Sequence, residues 1–134
     1  MSDQSLRGEK RTGMPVEPQN AASSGPQGGS APRTGYAPVN GLEMYYEIHG
    51  PRTAEPPLVL LHGSLSATGT SFGLLLPRLA QNRQVIAVEQ QAHGRTADID
   101  RPLSIEQMAE DTAALLRHLN VRQADLLGYS LGAG

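Results

Sequence analysis

Cysteine is absent from this chain of 134 residues, which excludes disulfides, thiolate metal sites and a cysteine nucleophile and leaves the redox compartment unmarked. Histidine is sparse. The four, at positions 49, 62, 93 and 118, are too scattered for a zinc signature such as His-Glu-x-x-His, so no metal is implied. Charge of one sign is lacking as well: a net charge of -2 with 18% charged residues carries no basic footprint of a nucleic-acid binder. The longest strongly apolar run, Leu58 to Leu61, is far too short to span a bilayer, and the N-terminus has no apolar stretch of signal-peptide length. One domain at most, no nucleic-acid or membrane partner, and by default a cytoplasmic location are the expectations that follow.

What is present centres on Leu126-Leu127-Gly128-Tyr129-Ser130-Leu131-Gly132-Ala133-Gly134. An apolar run, a glycine, a serine two positions on and another glycine two beyond form the G-x-S-x-G pattern of a strand turning sharply into a helix. Holding a serine in a strained turn crowds the residues two before and two after it, and Gly128 and Gly132 have no side chain to collide. In a chain with 15 glycines the bare pattern is weak. Its context strengthens it, because the apolar run from Ala124 follows a strong helix signal and a second motif lies upstream.

Residues 1 to 37 are rich in Gly, Pro, Ser, Gln and Asn without apolar periodicity, which reads as a disordered leader before a domain covering 38 to 134. Val39-Asn40-Gly41-Leu42 signals a two-residue hairpin turn, and Leu42 to Ile48 alternates as a half-buried antiparallel strand. Leu58-Val59-Leu60-Leu61 has no polar face and suits a central parallel strand, ending at His62-Gly63-Ser64. A helix is expected from Ser71 or Phe72 to about Gln81, with Phe72, Leu75, Leu76 and Leu79 at helical spacing and Pro77 kinking or restarting it. Arg83 to Val88 is the next strand, followed by a polar loop from Glu89 to Pro102. Ser104 with Gln107 is a capping-box pattern opening a helix whose apolar stripe runs Ile105, Met108, Ala109, Thr112, Leu115, Leu116 and Leu119, with Asn120 as its stop. Ala124 to Tyr129 is the last strand. Strands alternating with helices at this spacing imply an α/β fold with a mostly parallel sheet, whose ligands bind beyond the carboxyl ends of the strands.

Ser130 at the apex of such a turn is suited to attack on a carbonyl, provided that a base activates it and two backbone donors face the developing oxyanion. The N–H groups of Leu131 and Ser64 are the candidates for those donors. Ser64 is equally a plain turn residue in a loop of small side chains.

These residues resemble the α/β-hydrolase superfamily, in its serine-nucleophile branch of esterases, lipases, lactonases and haloperoxidase-like enzymes. The resemblance covers about residues 36 to 134 and rests on Leu58 to Gly63, on Val85-Ile86-Ala87-Val88 with His93-Gly94-Arg95-Thr96, and on Gly128 to Gly132. It implies a cofactor-independent Ser-His-Asp mechanism acting on a small acyl substrate, with Ser130 as nucleophile and Ser64 and Leu131 at the oxyanion hole. Serine at the nucleophile position argues against the epoxide hydrolase and haloalkane dehalogenase branches. In the family the acid and the histidine follow the nucleophile, and only four residues follow Ser130 here. His62 and His93 match family histidines that shape loops, and Glu89, where relatives usually carry Asp, matches a loop anchor. Ala92 replaces a glycine common in relatives, which implies a slightly altered loop.

Three readings stay open at this point. The chain is the N-terminal part of such a hydrolase, truncated after the elbow and inactive alone; or a non-catalytic half-domain that completes its sheet with another chain; or one subunit of a split enzyme whose complementing chain supplies acid and histidine. In the chain by itself, Ala124 to Tyr129 is expected to be an open apolar sheet edge.

Overall fold

The structure, a computed structural model, describes residues 31–134. Residues 1–30, most of the expected leader, lie outside the described residues. Strand β1, Arg33–Val39, begins within the stretch assigned to the leader because its whole length pairs antiparallel with β2, Leu42–His49. Asn40 at φ 50 and Gly41 at φ 80 make the turn between them, as two left-handed residues in succession must for a tight hairpin.

β2 also pairs antiparallel with β4, Val85–Val88, and β4 pairs parallel with β3, Leu58–Leu61. β3 in turn pairs parallel with β5, Asp125–Gly128, giving one five-stranded sheet in the order β1-β2-β4-β3-β5. The parallel part is what the uninterrupted apolar runs call for. Every residue of β4 is buried, and Val59 and Leu60 of β3 are too, as in a strand covered on both sides.

Alternate side chains serve two cores. Val59, Ile86 and Val88 join Ala37, Val39, Leu42 and Met44 against Leu115 of α3, Ile105–His118. Leu60, Val85 and Ala87 face the other way, onto Phe72 of α1, Thr68–Phe72, Leu76 of α2, Leu76–Leu79, and the adjoining Ala80. Two short helices thus replace the single one expected from Ser71 to Gln81. Pro77 has no N–H to give to a preceding carbonyl, so it falls in the first turn of a restarted helix, where that donor is not needed. The restart swings Leu75, expected on the buried face, to 44% exposure.

α3 starts at Ser104, whose hydroxyl accepts the Gln107 N–H at 3.1 Å. The return half of the expected capping box is missing, since the Gln107 side chain donates instead to Asp111 at 3.0 Å. At its other end Asn120, φ 58, lets the Val121 N–H reach Leu116 O and its own N–H reach Arg117 O, a left-handed stop of the Schellman kind. No helix among the described residues is long and apolar enough to cross a membrane.

Candidate active site

The register of the three parallel strands builds the site. Leu61 lies opposite Val88 on one side and Gly128 on the other, so the loops that follow leave the sheet at one level. They carry His62-Gly63-Ser64, Glu89 to Thr96, and Tyr129-Ser130 respectively.

Ser130 stands at the turn from β5 into a single 3-10 turn, Ser130–Ala133, with φ 53. A Cβ on Gly128 would run into the carbonyl of Gly132, and one on Gly132 into the carbonyl of Leu61. The two glycines are therefore sterically required by the turn that raises Ser130, the reason the spacing suggests. Gly63 is packed just as closely: a Cβ there would lie 2.9 Å from the Tyr129 ring and 3.5 Å from the Ser130 Cβ. The loop bearing Ser64 thus runs against the serine turn. Ser64 and Leu131 share the wall of one cavity of about 350 Å³, together with Leu65, His93 and the start of α3.

Backbone strain collects on this rim. Five non-glycine residues among those described have positive φ, and two are the asparagines of the hairpin turn and the α3 stop, a residue type that tolerates it. The other three are Leu65, Ala92 and Ser130, one in each of the loops after β3, β4 and β5. Ala92 keeps, at φ 64, a conformation that glycine would adopt at no steric cost.

The loops are tied by buried polar contacts. His62, 1% exposed, receives the Gln90 N–H on Nε2 at 2.9 Å and turns Nδ1 to Gly63 O at 2.9 Å. A carbonyl only accepts, so Nδ1 carries the proton and both ring nitrogens are engaged. Burial lowers the pKa of His62 from 6.5, with the nearby His93 adding to the fall, and the bond to Gly63 opposes it. His93 packs against it with ring centroids 4.9 Å apart and the planes tilted by 39°, and its Nδ1–H donates to Gln91 O at 2.8 Å. Glu89 is wholly buried and holds its loop through Arg95, whose side chain and backbone N–H both donate to it at 2.6 to 3.0 Å. Neither histidine, nor any carboxylate among the described residues, hydrogen-bonds the Ser130 hydroxyl. Among those residues no three His, Cys, Asp or Glu side chains gather as a metal-binding group.

Sequence reasoning missed a second buried polar cluster. Asp111, 0% exposed, accepts Arg101 at 2.6 Å, Asn40 Nδ2 at 2.9 Å and Gln107 Nε2 at 3.0 Å, while Arg101 also reaches the buried Gln91 at 2.7 Å. The signal was a charged residue four positions from Leu115, on the apolar side of α3.

The apolar stripe of α3 divides in two. Leu115 and Leu119 pack on the sheet, Ile105, Met108 and Ala109 line a groove of about 450 Å³ with Leu126, Gly128 and Leu131, and Leu116 touches both. A larger cleft of about 710 Å³ lies at the amino ends of the strands, beside Pro57, Gln84 and Gln123, on the opposite side from Ser130.

Comparison with known proteins places the chain. Residues 58–134 match the sequence pattern of the alpha/beta hydrolase family. A proline iminopeptidase from Lactobacillus helveticus (strain DPC 4571) is 37% identical over 103 residues, covering 73% of this chain and 35% of that protein. The magnesium-chelatase 30 kDa subunit of Rhodobacter capsulatus is 31% identical over 118 residues, covering 87% of this chain and 40% of that one. Among solved structures, an enol-lactonase from Burkholderia xenovorans LB400 superposes with a TM-score of 0.68 at 28% identity, covering 72% of this chain and 37% of that chain. The chain spans about a third to two fifths of the length of the curated relatives it matches.

Proposed function

The chain belongs to the alpha/beta hydrolase family, and from that premise we propose that it carries the nucleophile half of a serine hydrolase acting on esters, lactones or related acyl substrates. Ser130 is the nucleophile. The observation that carries this reading is the left-handed Ser130 between two glycines whose replacement by a larger residue would clash, directly preceding Leu131, which walls one cavity with Ser64. Backbone N–H groups of Ser64 and Leu131 then meet the oxyanion that forms as the serine oxygen adds to the acyl carbon. A relative described as an iminopeptidase and a solved neighbour described as a lactonase both support acyl transfer as the reaction class.

The base and acid come from outside the described residues. His62 has both nitrogens engaged, and His93 makes no bond to Ser130. The reaction needs a histidine to take the serine proton and a carboxylate to orient it. A second reading is favoured by β5, which among the described residues pairs only with β3 and leaves Leu126 62% exposed: the base and acid arrive on a separate polypeptide that also extends the sheet. The location is cytoplasmic on either reading.

Hydrolysis of a short-chain p-nitrophenyl ester, followed for the chain alone and together with a polypeptide supplying histidine and acid, tests the proposal. Turnover appears only in the second case, and Ser130→Ala lowers it by about 10⁴-fold or more. Turnover that survives Ser130→Ala sinks the assignment of the nucleophile.

A further inference from the structure

His93 is the one ring on the rim with a nitrogen to spare. It is buried to about nine-tenths, being 9% exposed, yet it lines the cavity that Ser64 and Leu131 also wall. Its Nδ1 faces the carbonyl of Gln91 at 2.8 Å, and because a carbonyl can only accept, that nitrogen must carry the proton. In the neutral imidazole Nε2 is then a bare lone pair. It has no hydrogen-bond partner among the described residues, in contrast to His62 Nε2, which receives the Gln90 N–H. The ring cannot easily turn away. It is packed on His62 and tied through Nδ1, while its loop is fixed by the Glu89 and Arg95 contacts on either side.

The rest of the cavity wall differs in kind. Leu65, Leu103, Ile105, Met108 and Leu131 are apolar, and the polar side chains besides His93 are the hydroxyls of Ser64 and Ser104. The Ser104 oxygen already accepts the Gln107 N–H that starts α3. A fixed acceptor in such surroundings is costly to leave unpaired against an apolar ligand and selects for a ligand that donates.

We propose that His93 is a specificity-determining residue, its Nε2 accepting a hydrogen bond from an N–H or O–H on the acyl part of the substrate held beside Ser64 and Leu131. This deepens the serine-hydrolase reading and rests on it. The substrate class is thereby narrowed to acyl compounds bearing a neutral donor, such as hydroxy-acyl or amido-acyl esters and lactones. His93 takes no proton from Ser130. It positions the acyl group and sorts substrates by the donor they carry.

The test compares methyl 3-hydroxypropanoate with methyl butanoate, two esters of matched shape that differ in a hydroxyl against a methyl group. Each is titrated into the full 134-residue chain carrying Ser130→Ala, labelled with ¹⁵N at its histidine rings, at about pH 8, where an ordinary imidazole is neutral. The hydroxy ester is expected to shift the His93 Nε2 resonance in a saturable way and to bind about five- to tenfold more tightly than its partner, the scale of one neutral hydrogen bond. His93→Phe removes that preference, and His93→Gln, which returns a polar group near the position of Nε2, restores part of it. Equal affinities, or no saturable shift of Nε2 with either ester, overturn the proposal. Methanol release by the chain with Ser130 intact, supplied with the histidine and acid, is followed in parallel. Discrimination without methanol release defeats only the hydrolase reading, and methanol release without discrimination defeats only the role of His93.

Discussion

Two regions of this molecule handle an unfavourable backbone in opposite ways. At the junction of the hairpin with α3, the left-handed positions are filled by Asn40 and Asn120, which tolerate them, and the Asn40 side chain goes on to donate to Asp111. There Asp111, the carboxylate that gathers the polar groups, is wholly buried and paired. At the rim beyond β3, β4 and β5, left-handed backbone falls on Leu65, Ala92 and Ser130, each carrying a Cβ that disfavours it by about 1–2 kcal/mol. There the Ser130 hydroxyl has no hydrogen bond to either rim histidine or to any other described residue, and Leu65 is fully exposed. Strain of this sort persists only where the surroundings impose it, and around Ser130 those surroundings are the close contacts of Gly63, Gly128 and Gly132. The first region holds the fold, and the second is held in readiness by it.

The sharpest way to break the contrast is to strip the junction of its anion. Asp111→Ala leaves the Arg101 charge and the Asn40 and Gln107 amides without their acceptor, and is expected to cost about 3–5 kcal/mol. Urea unfolding followed by circular dichroism measures it, and a loss below about 1 kcal/mol would mean that the cluster is solvated and incidental. On the rim, Gly132→Ala drives a methyl group into the Leu61 carbonyl and should cost about 2–4 kcal/mol, read by the same method. An unchanged midpoint would show that the serine turn yields freely and that its glycines are not sterically demanded.

Relieving strain should work in the opposite direction. Ser130→Gly and Ala92→Gly are each expected to stabilise by about 0.5–1 kcal/mol, whereas Asn120→Gly at the α3 stop changes stability by less than about 0.5 kcal/mol. Destabilisation by both rim variants would falsify the picture of stored strain. The smallest effect concerns acid. His62 has its pKa lowered by burial, so below about pH 6.5 the unfolded chain takes up a proton that the folded chain resists. Stability contributed by this group is therefore complete above that pH and lost as pH falls toward its folded value. His62→Asn is expected to flatten this part of the stability profile, seen in thermal midpoints taken from about pH 7 down to about pH 5.

The parallel strands, the hairpin, α3 and the serine turn were all legible in the sequence, because each depends on local pattern. An apolar run without a polar face, an Asn-Gly pair, a stripe with a serine before it and a serine between spaced glycines have few other uses. The split into α1 and α2 was only half legible. Pro77 announced a break, but whether it would bend the helix or restart it depended on how Phe72 and Leu76 both reach Leu60 and Val85. Glu89 read as a loop anchor through the family resemblance, while the Asp111 cluster stayed hidden because its partners come from β-turn, loop and helix, up to 71 positions apart.

Taken alone, the order of residues determined which segments become strands and helices, where the glycines must fall and which serine stands at the turn, since these follow from steric and hydrophobic periodicity within a few neighbours. The tertiary structure decided the rest. Only the in-register ends of β3, β4 and β5 bring Ser64, His93 and Leu131 to one cavity. Only packing and hydrogen bonding across those loops occupy both nitrogens of His62 and leave one of His93 bare. The physical reason is that a side chain's chemistry is set by what surrounds it, and those surroundings are assembled from positions that the chain keeps far apart until it folds.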